Sequence, residues 1–394
     1  MKKSDVVVLG GGPGGYAAAF EAADRGLDVS LIDIEPNPGG VCLYRGCIPS
    51  KALLHVAKVL TDAREAEYFG IKFDSPKIDL DRLRESKNEI IEKLTSGLGQ
   101  LAKARKINYV EGRGNFEEST RIRVTAKNGS EQYIEPRHTI LASGSRPATL
   151  PNITLDSPRI MNSTSALEVE SIPENLLCIG GGYIGLELAT VYATLGSQVT
   201  IVEMLPKLLM GADADLVKVL HERMSKICHA IHTSTKVVAI KEDKKGLRVT
   251  LENADGQQRT QTFDKVLVSV GRKPNSSGLG LQSTKVEVDD RGFVKVDAQM
   301  RTADPHILAI GDVVGNPMLA HKASHEGRIA AEVLAGMKSA FQPNAIPAVV
   351  FTDPELAWVG ITETEAREKK IPIQVARFPW SASGRATTLH RSDG

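Results

Sequence analysis

A glycine-rich turn between a short apolar strand and a helix occurs twice in this 394-residue chain. Each time an acidic residue closes the next strand at the same distance. In the first copy residues 5–9 read DVVVL, a β-branched run of the kind buried on both faces of a parallel sheet. Gly10, Gly12 and Gly15 then form GxGxxG, followed by a helix-like run at 16–25 and a strand at 29–32 that ends in Asp33. In the second copy a strand at 176–179 leads to Gly180, Gly182 and Gly185, a helix at 183–195, a strand at 199–202 and Glu203. The acid stands 23 positions after the first glycine in both copies. GxGxxG alone is weak evidence. With strand, helix, strand and acid in order it is the dinucleotide fingerprint: the glycines let a pyrophosphate reach the helix N-terminus, and the acid holds a ribose hydroxyl pair. Two copies predict two dinucleotides and an α/β fold with two Rossmann-like domains. The parallel extends further, because residues 266–274 echo residues 139–147. A carboxylate at Glu203 accepts from a free 2′-hydroxyl and repels a 2′-phosphate, which favours NAD over NADP. Lys207 follows Pro206 and reads as a solvated surface lysine.

Residues 39–51 read GGVCLYRGCIPSK and hold two of the four cysteines, Cys42 and Cys47. Thiol–disulfide exchange needs two sulfurs able to close a ring and a positive field that favours the thiolate. Gly39, Gly40 and Gly46 give the backbone room for this. Residues five apart on a regular helix point to different sides, so a bridge implies an irregular first turn, where Pro49 fits. Cys47 would then sit near the positive end of a helix, with Lys51 four residues on along the same face. The bland alternatives are two core cysteines or half of a zinc site. No second Cys or His pair with metal-ligand spacing stands nearby, so no metal is expected. The redox reading is favoured.

The net charge is +1, with no long basic or acidic run, so neither nucleic acid nor an anionic membrane surface is implied as a partner. Four cysteines in so long a chain do not make a secreted disulfide framework, and a cytoplasmic setting fits. The start, MKKSDVVVLGGGPGGYAAAF, mimics a signal peptide, but its glycine-rich centre is explained by the fingerprint. No run is long and apolar enough to span a bilayer.

Residues 52–66 and 79–105 read as helices, and 107–134 as short strands with a turn at Asn128-Gly129. Pro147 and Pro151 suggest a linker. A strand at 307–310 ends in Gly311-Asp312, and a helix-like stretch at 318–334 follows, its N-terminus able to face a ligand that gains negative charge. His321 and His325 fall on that stretch at i, i+4, but with no third ligand evident they read as packing or hydrogen-bonded histidines.

Taken in order, VVVLGGGPGGYAAAF, GGVCLYRGCIPSKALLHVAKV, GGGYIGLELATVYATLGS, VSVGRKPN, ILAIGDVVGNPMLAHKASHEG and TDPELAWVG resemble the dihydrolipoamide dehydrogenase family, flavoprotein components of 2-oxo-acid dehydrogenase complexes within the wider pyridine-nucleotide disulfide oxidoreductases. The resemblance runs along the whole chain. It implies an FAD-binding domain at 1–145, an NAD-binding domain at 146–272, a central domain at 273–345 that returns to the FAD domain, and the start of an α+β interface or dimerisation domain at 346–394. Cofactors FAD and NAD are implied. So are a homodimer for the full-length protein, dihydrolipoamide on a lipoyl domain as substrate, and a 2-oxo-acid dehydrogenase complex as partner. Residue by residue, Cys42 resembles the thiol that exchanges with substrate and Cys47 the thiol beside the flavin. Lys51 and Glu187 resemble an ion pair near the flavin, and Tyr183 an aromatic side chain near the nicotinamide. Gly10, Gly12, Gly15, Asp33, Gly40, Gly114, Asp312 and Ala320 match FAD positions. Gly180, Gly182, Gly185, Glu203, Val237 and Gly271 match NAD positions. The null alternatives are a merely structural Lys51–Glu187 pair and a packing role for Tyr183.

The family also uses a histidine base in an HPxxxE-type motif, and no His-Pro occurs here. His390, in TTLHRSDG, reads instead as a solvent-exposed loop residue. The resemblance therefore leads us to expect a truncated form of a longer enzyme, able to bind both dinucleotides but impaired with dihydrolipoamide. Glutathione and mercuric reductases share C-x4-C, but Val41, Ile48 and Ser50 match the lipoamide branch more closely. A non-catalytic FAD/NAD-binding subunit would not be expected to retain Cys42, Cys47, Lys51 and Glu187 together. A red colour on two-electron reduction would separate the two readings.

Overall fold

The computed structural model describes residues 2–151, 153 and 155–394. The chain divides into two compact units, each built from three separate stretches of sequence. The first takes the N-terminal stretch up to Pro49, Asn88–Arg146 and Arg272–Pro343. Its centre is a sheet in the order Asn108–Glu111, Val29–Asp33, Lys2–Leu9, Glu131–Leu141, Arg121–Thr125, Arg113–Glu118. Strand Ile307–Ala309 pairs in parallel with the end of Glu131–Leu141. The inner strands are parallel and apolar on both faces: Val6, Val7, Val8, Leu31, Ile32, Ile140 and Leu141 are all buried. Helix Pro13–Asp24 starts at Pro13, earlier than the expected residue 16, because proline is tolerated where no N–H is required. It buries Ala18, Ala19 and Ala22 in a core shared with the sheet and with helix Ala320–Leu334. Gly14 approaches Ala323 of helix Ala320–Leu334 so closely that an added Cβ would lie 3.0 Å from the Ala323 carbonyl oxygen. Helix Ala320–Leu334, in contrast, starts later than the expected residue 318. A 3₁₀ turn, Gly311–Val314, comes first.

The second unit takes Ser50–Lys87, Pro147–Gly271 and Asn344–Gly394. Its sheet is wholly parallel, in the order Ala230–His232, Gln198–Val202, Asn175–Ile179, Lys265–Val268, Ile160–Asn162. Helix Tyr183–Leu195 spans the expected residues and is almost wholly buried, as its run of apolar residues requires. A separate antiparallel sheet, Lys236–Asp243, Gly246–Glu252 and Gln258–Phe263, adds Leu247, Val249, Leu251 and Phe263 to the apolar core. No helix among the described residues is long and apolar enough to cross a membrane.

Candidate active site

In the first unit the glycine turn is forced by space. Gly10 has φ +112°, and its N–H donates to the Ile32 carbonyl at 2.9 Å. A Cβ at Gly10 would strike the Ala142 carbonyl, and one at Gly15 would strike the Gly10 carbonyl. Gly40, at φ +56°, brings its backbone against Gly12: an added Cβ would sit 2.5 Å from the Gly12 Cα. Gly12 caps helix Pro13–Asp24 with no side-chain hydrogen bond, and no acid stands in the first turn, which leaves the leading N–H groups for an anion. Asp33 accepts the N–H of Gly11 on one carboxylate oxygen and that of Glu35, at 2.9 Å, on the other. Burial outweighs these bonds and pushes its carboxyl above the ordinary range. Gly114 is buried under Leu9, while Gly112 donates its N–H to the Asp33 carbonyl at 2.7 Å. Asp312 lies in the 3₁₀ turn and accepts from the Ser145 hydroxyl at 2.5 Å, and Ser145 in turn takes the Arg272 Nε–H at 2.7 Å. Ala320 opens helix Ala320–Leu334, which also lacks a side-chain cap and an acid in its first turn. Open glycine backbone and these two uncapped, acid-free helix starts fit a dinucleotide's pyrophosphate.

Cys42 lies in helix Gly40–Arg45, which breaks at Gly46 before helix Cys47–Glu65 begins with Cys47. This is the irregular turn that a bridge requires. Gly46 folds back on the preceding turn, where a Cβ would lie 2.8 Å from the Val41 carbonyl oxygen and 3.4 Å from the Cys42 Cα. Cys42 is half-buried and Cys47 exposed. Tyr16, which carries no sequence signal for the site, lies within electrostatic reach of both sulfurs. Burial first, then Cys42 and Cys47, hold its hydroxyl pKa up. The other cysteines contrast sharply. Cys178 and Cys228 are core residues whose thiols burial pushes up to about 12. After reduction, a thiol reagent applied to the native protein at pH 8 is expected to modify Cys42 and Cys47 and to spare Cys178 and Cys228 until denaturation. Mass mapping of the labelled peptides checks this.

In the second unit the arrangement repeats. Gly180 has φ +109°, and its added Cβ would strike the Ser269 carbonyl, as that of Gly185 would strike the Gly180 carbonyl. Nothing lies within 4 Å of a Cβ built at Gly182, and helix Tyr183–Leu195 starts there without cap or acid. Glu203 accepts from the Gly181 N–H at 2.6 Å and the Leu205 N–H at 2.7 Å, matching the Asp33 pattern. Tyr183 is 38% exposed at the helix start. Val237 sits at a bulge in strand Lys236–Asp243, and Gly271, φ +107°, faces open space. Lys207 is not the solvated lysine expected. It is half-buried, and its ammonium reaches the Ala212 carbonyl at 3.5 Å, because the chain turns back after Pro206.

Lys51 bonds both oxygens of Glu187 at 2.9 Å, and the Glu187 side chain is only 4% exposed. Two partners that the sequence did not reveal complete the carboxylate's shell: the Ser50 hydroxyl at 2.8 Å and the Phe351 N–H at 3.1 Å. The Phe351 ring also lies under the Lys51 ammonium, 4.5 Å from centroid to nitrogen. His325 packs edge-on to Phe341, as a packing histidine should, and no metal-binding cluster of three or more His, Cys, Asp or Glu exists among the described residues. His390 is exposed in a turn, and its ring stacks on Tyr68 at 3.4 Å.

Residues 4–327 match the pyridine nucleotide-disulphide oxidoreductase family, and 346–394 match the dimerisation domain of that family. The chain belongs to this family, and is thereby a flavoprotein oxidoreductase that uses FAD and NAD. It is 49% identical over 392 residues to the dihydrolipoyl dehydrogenase of Vibrio cholerae, spanning 100% of this chain and 82% of that protein. It is 47% identical over 392 residues to the protein of the same name from Haemophilus influenzae, with the same coverage. Among solved structures, LpdA from Mycobacterium tuberculosis superposes with a TM-score of 0.90 at 28% identity, covering 100% of this chain and 86% of that one.

Proposed function

We propose that this chain is a dihydrolipoyl dehydrogenase, with Cys42 and Cys47 as its redox disulfide. The observation that carries the reading is the helix break at Gly46, which folds the Cys42 turn against the start of the Cys47 helix in the same unit as the first dinucleotide turn. A thiolate of the dihydrolipoyl group attacks Cys42 Sγ, forming a mixed disulfide and releasing Cys47 as thiolate. The second lipoyl thiolate then attacks the first lipoyl sulfur, closing the lipoyl disulfide and releasing Cys42. Two protons leave, and two electrons remain on the cysteine pair. Bound FAD would supply an acceptor for this electron pair, and bound NAD⁺ would receive it together with one of the two protons as a hydride.

The chain's own residues supply the binding. Gly10, Gly12, Gly15 and Gly40 admit the FAD pyrophosphate, Asp33 holds its ribose, Gly114 closes the adenosine side, and Asp312 and Ala320 bind toward the flavin. Gly180, Gly182, Gly185, Val237 and Gly271 admit NAD, Glu203 holds its ribose, and Tyr183 packs at the nicotinamide. Lys51 lies one helical turn from Cys47, and Glu187 holds its ammonium. It thus keeps a positive charge near the thiolate. The substrate is a lipoyl group on its carrier domain within a 2-oxo-acid dehydrogenase complex in the cytoplasm. The enzyme works as a homodimer built through 346–394, without nucleic acid or membrane. The domain layout proposed is 1–145 for FAD, 146–272 for NAD, 273–345 as the central return and 346–394 as the interface.

Anaerobic titration tests the reaction. One equivalent of dihydrolipoamide should turn the flavin-loaded protein red through a long-wavelength charge-transfer absorbance, and added NAD⁺ should then discharge that colour and give NADH. A flavin spectrum that dihydrolipoamide leaves unchanged would overturn the reading.

A further inference from the structure

We infer that Lys322 and Glu326 are positioning residues that hold the Gly311–Val314 turn, and with it Asp312, in place for the flavin nucleotide; this rests on the cofactor role proposed above for Asp312. Both side chains are almost wholly withdrawn from water, at 4% and 3% exposure. Lys322 uses all three ammonium protons. They go to Glu326 at 3.0 Å, the Gly311 carbonyl at 3.2 Å and the Gly315 carbonyl at 3.0 Å. The other Glu326 oxygen accepts the Gly311 N–H at 2.7 Å. The pair therefore grips the turn at both ends, and Gly311 and Gly315 both have positive φ, +79° and +129°. Asp312 lies between these ends, and the Ser145 hydroxyl holds its carboxylate from the other side.

Helix stability does not explain this lysine. It is the third residue of helix Ala320–Leu334, where a cation opposes the helix dipole, and a lysine four residues before a glutamate is the weaker order for such a pair. Net stability does not explain it either, because burying two charges costs about as much as their attraction returns, and apolar replacements of similar volume are often neutral. Geometry does: four charge-assisted contacts fix a two-glycine turn that would otherwise be loose, and they tie it to the helix that Ala320 opens.

The test compares K322M/E326L, D312N, the triple variant and K322M/E326Q, each stripped of flavin and titrated with FAD by fluorescence. K322M/E326L is expected to keep the thermal midpoint of the flavin-free protein within a few degrees. Its Kd for FAD should rise about tenfold to a hundredfold, and the flavin's visible circular dichroism should change. D312N should weaken FAD binding as well, and the triple variant should be no weaker than the poorer of the two, because all act through one contact. K322M/E326Q keeps an acceptor for the Gly311 N–H and should fall between wild type and K322M/E326L; should the latter fail to fold, this variant decides alone. If D312N weakens FAD binding while the Lys322–Glu326 variants bind it as wild type does, the positioning inference is overturned. If D312N itself leaves FAD binding unchanged, the cofactor role of Asp312 falls, and the inference with it.

Discussion

Replacing Cys42 by serine is expected to reduce dihydrolipoamide turnover by about a thousandfold or more while FAD stays bound. Serine cannot form the mixed disulfide, so the nucleophilic route is removed, and loss of a covalent nucleophile is among the largest single-residue effects in enzymes. Neither remaining core cysteine can substitute: Cys178 and Cys228 are buried, with thiols pushed up to about 12. The flavin contacts proposed for Gly10, Gly12, Gly40 and Asp33 involve no Cys42 atom, so the yellow colour and flavin stoichiometry should match wild type. Steady-state assay with dihydrolipoamide and NAD⁺, beside a flavin-to-protein ratio from absorbance, checks both halves. Wild-type turnover in this variant would remove Cys42 from the mechanism.

Glu203→Arg is expected to invert the nucleotide preference. The Gly181 and Leu205 N–H groups each occupy one position on the two carboxylate oxygens, which leaves lone pairs for a ribose hydroxyl pair. A hydrogen bond to a charged group contributes roughly 1.5–3 kcal/mol. Its loss should lower kcat/KM for NADH by about tenfold to a hundredfold. An arginine in the same place can pair with a 2′-phosphate, so NADPH use should rise in relative terms. The measurement is kcat/KM with each nucleotide in wild type and variant. Equal use of NADH and NADPH by the wild type would defeat the argument from Glu203.

The two dinucleotide turns were legible in the sequence because everything they need is local. Glycine spacing, β-branched strands and the closing acid lie within about two dozen residues, and Asp33 and Glu203 took up matching hydrogen bonds. Helix 183–195 emerged with the expected bounds for the same reason. The Cys42–Cys47 stretch was legible in outline, since C-x4-C on a regular helix demands an irregular turn. That the irregularity would be a break at Gly46 between two helices was not. What the sequence hid is contact over long separations. Ser50 and the Phe351 N–H complete the shell of Glu187 from 137 and 164 residues away, and a backbone N–H leaves no compositional trace. Lys322 and Glu326 stand four residues apart in the sequence, but only burial separates such a pair from a solvated helix face, and the sequence reading did not single them out. Lys207 was misread because its partner is a carbonyl supplied by the return of the chain at Ala212.

Strand Ile307–Ala309 belongs to the sheet of the first unit, against Thr139, Ile140 and Leu141. The parallel sheet of the second unit is made only of strands between Ile160 and Val268. On the ribosome the order of completion is therefore the reverse of the order of sequence. At typical elongation rates of roughly 5–20 residues per second, Leu141 is synthesised about ten to thirty seconds before the strand it must meet. Through that interval the nascent N-terminal sheet carries an unpaired edge, and in its last part, once Val268 has been made, the sheet encoded after it already has all its strands.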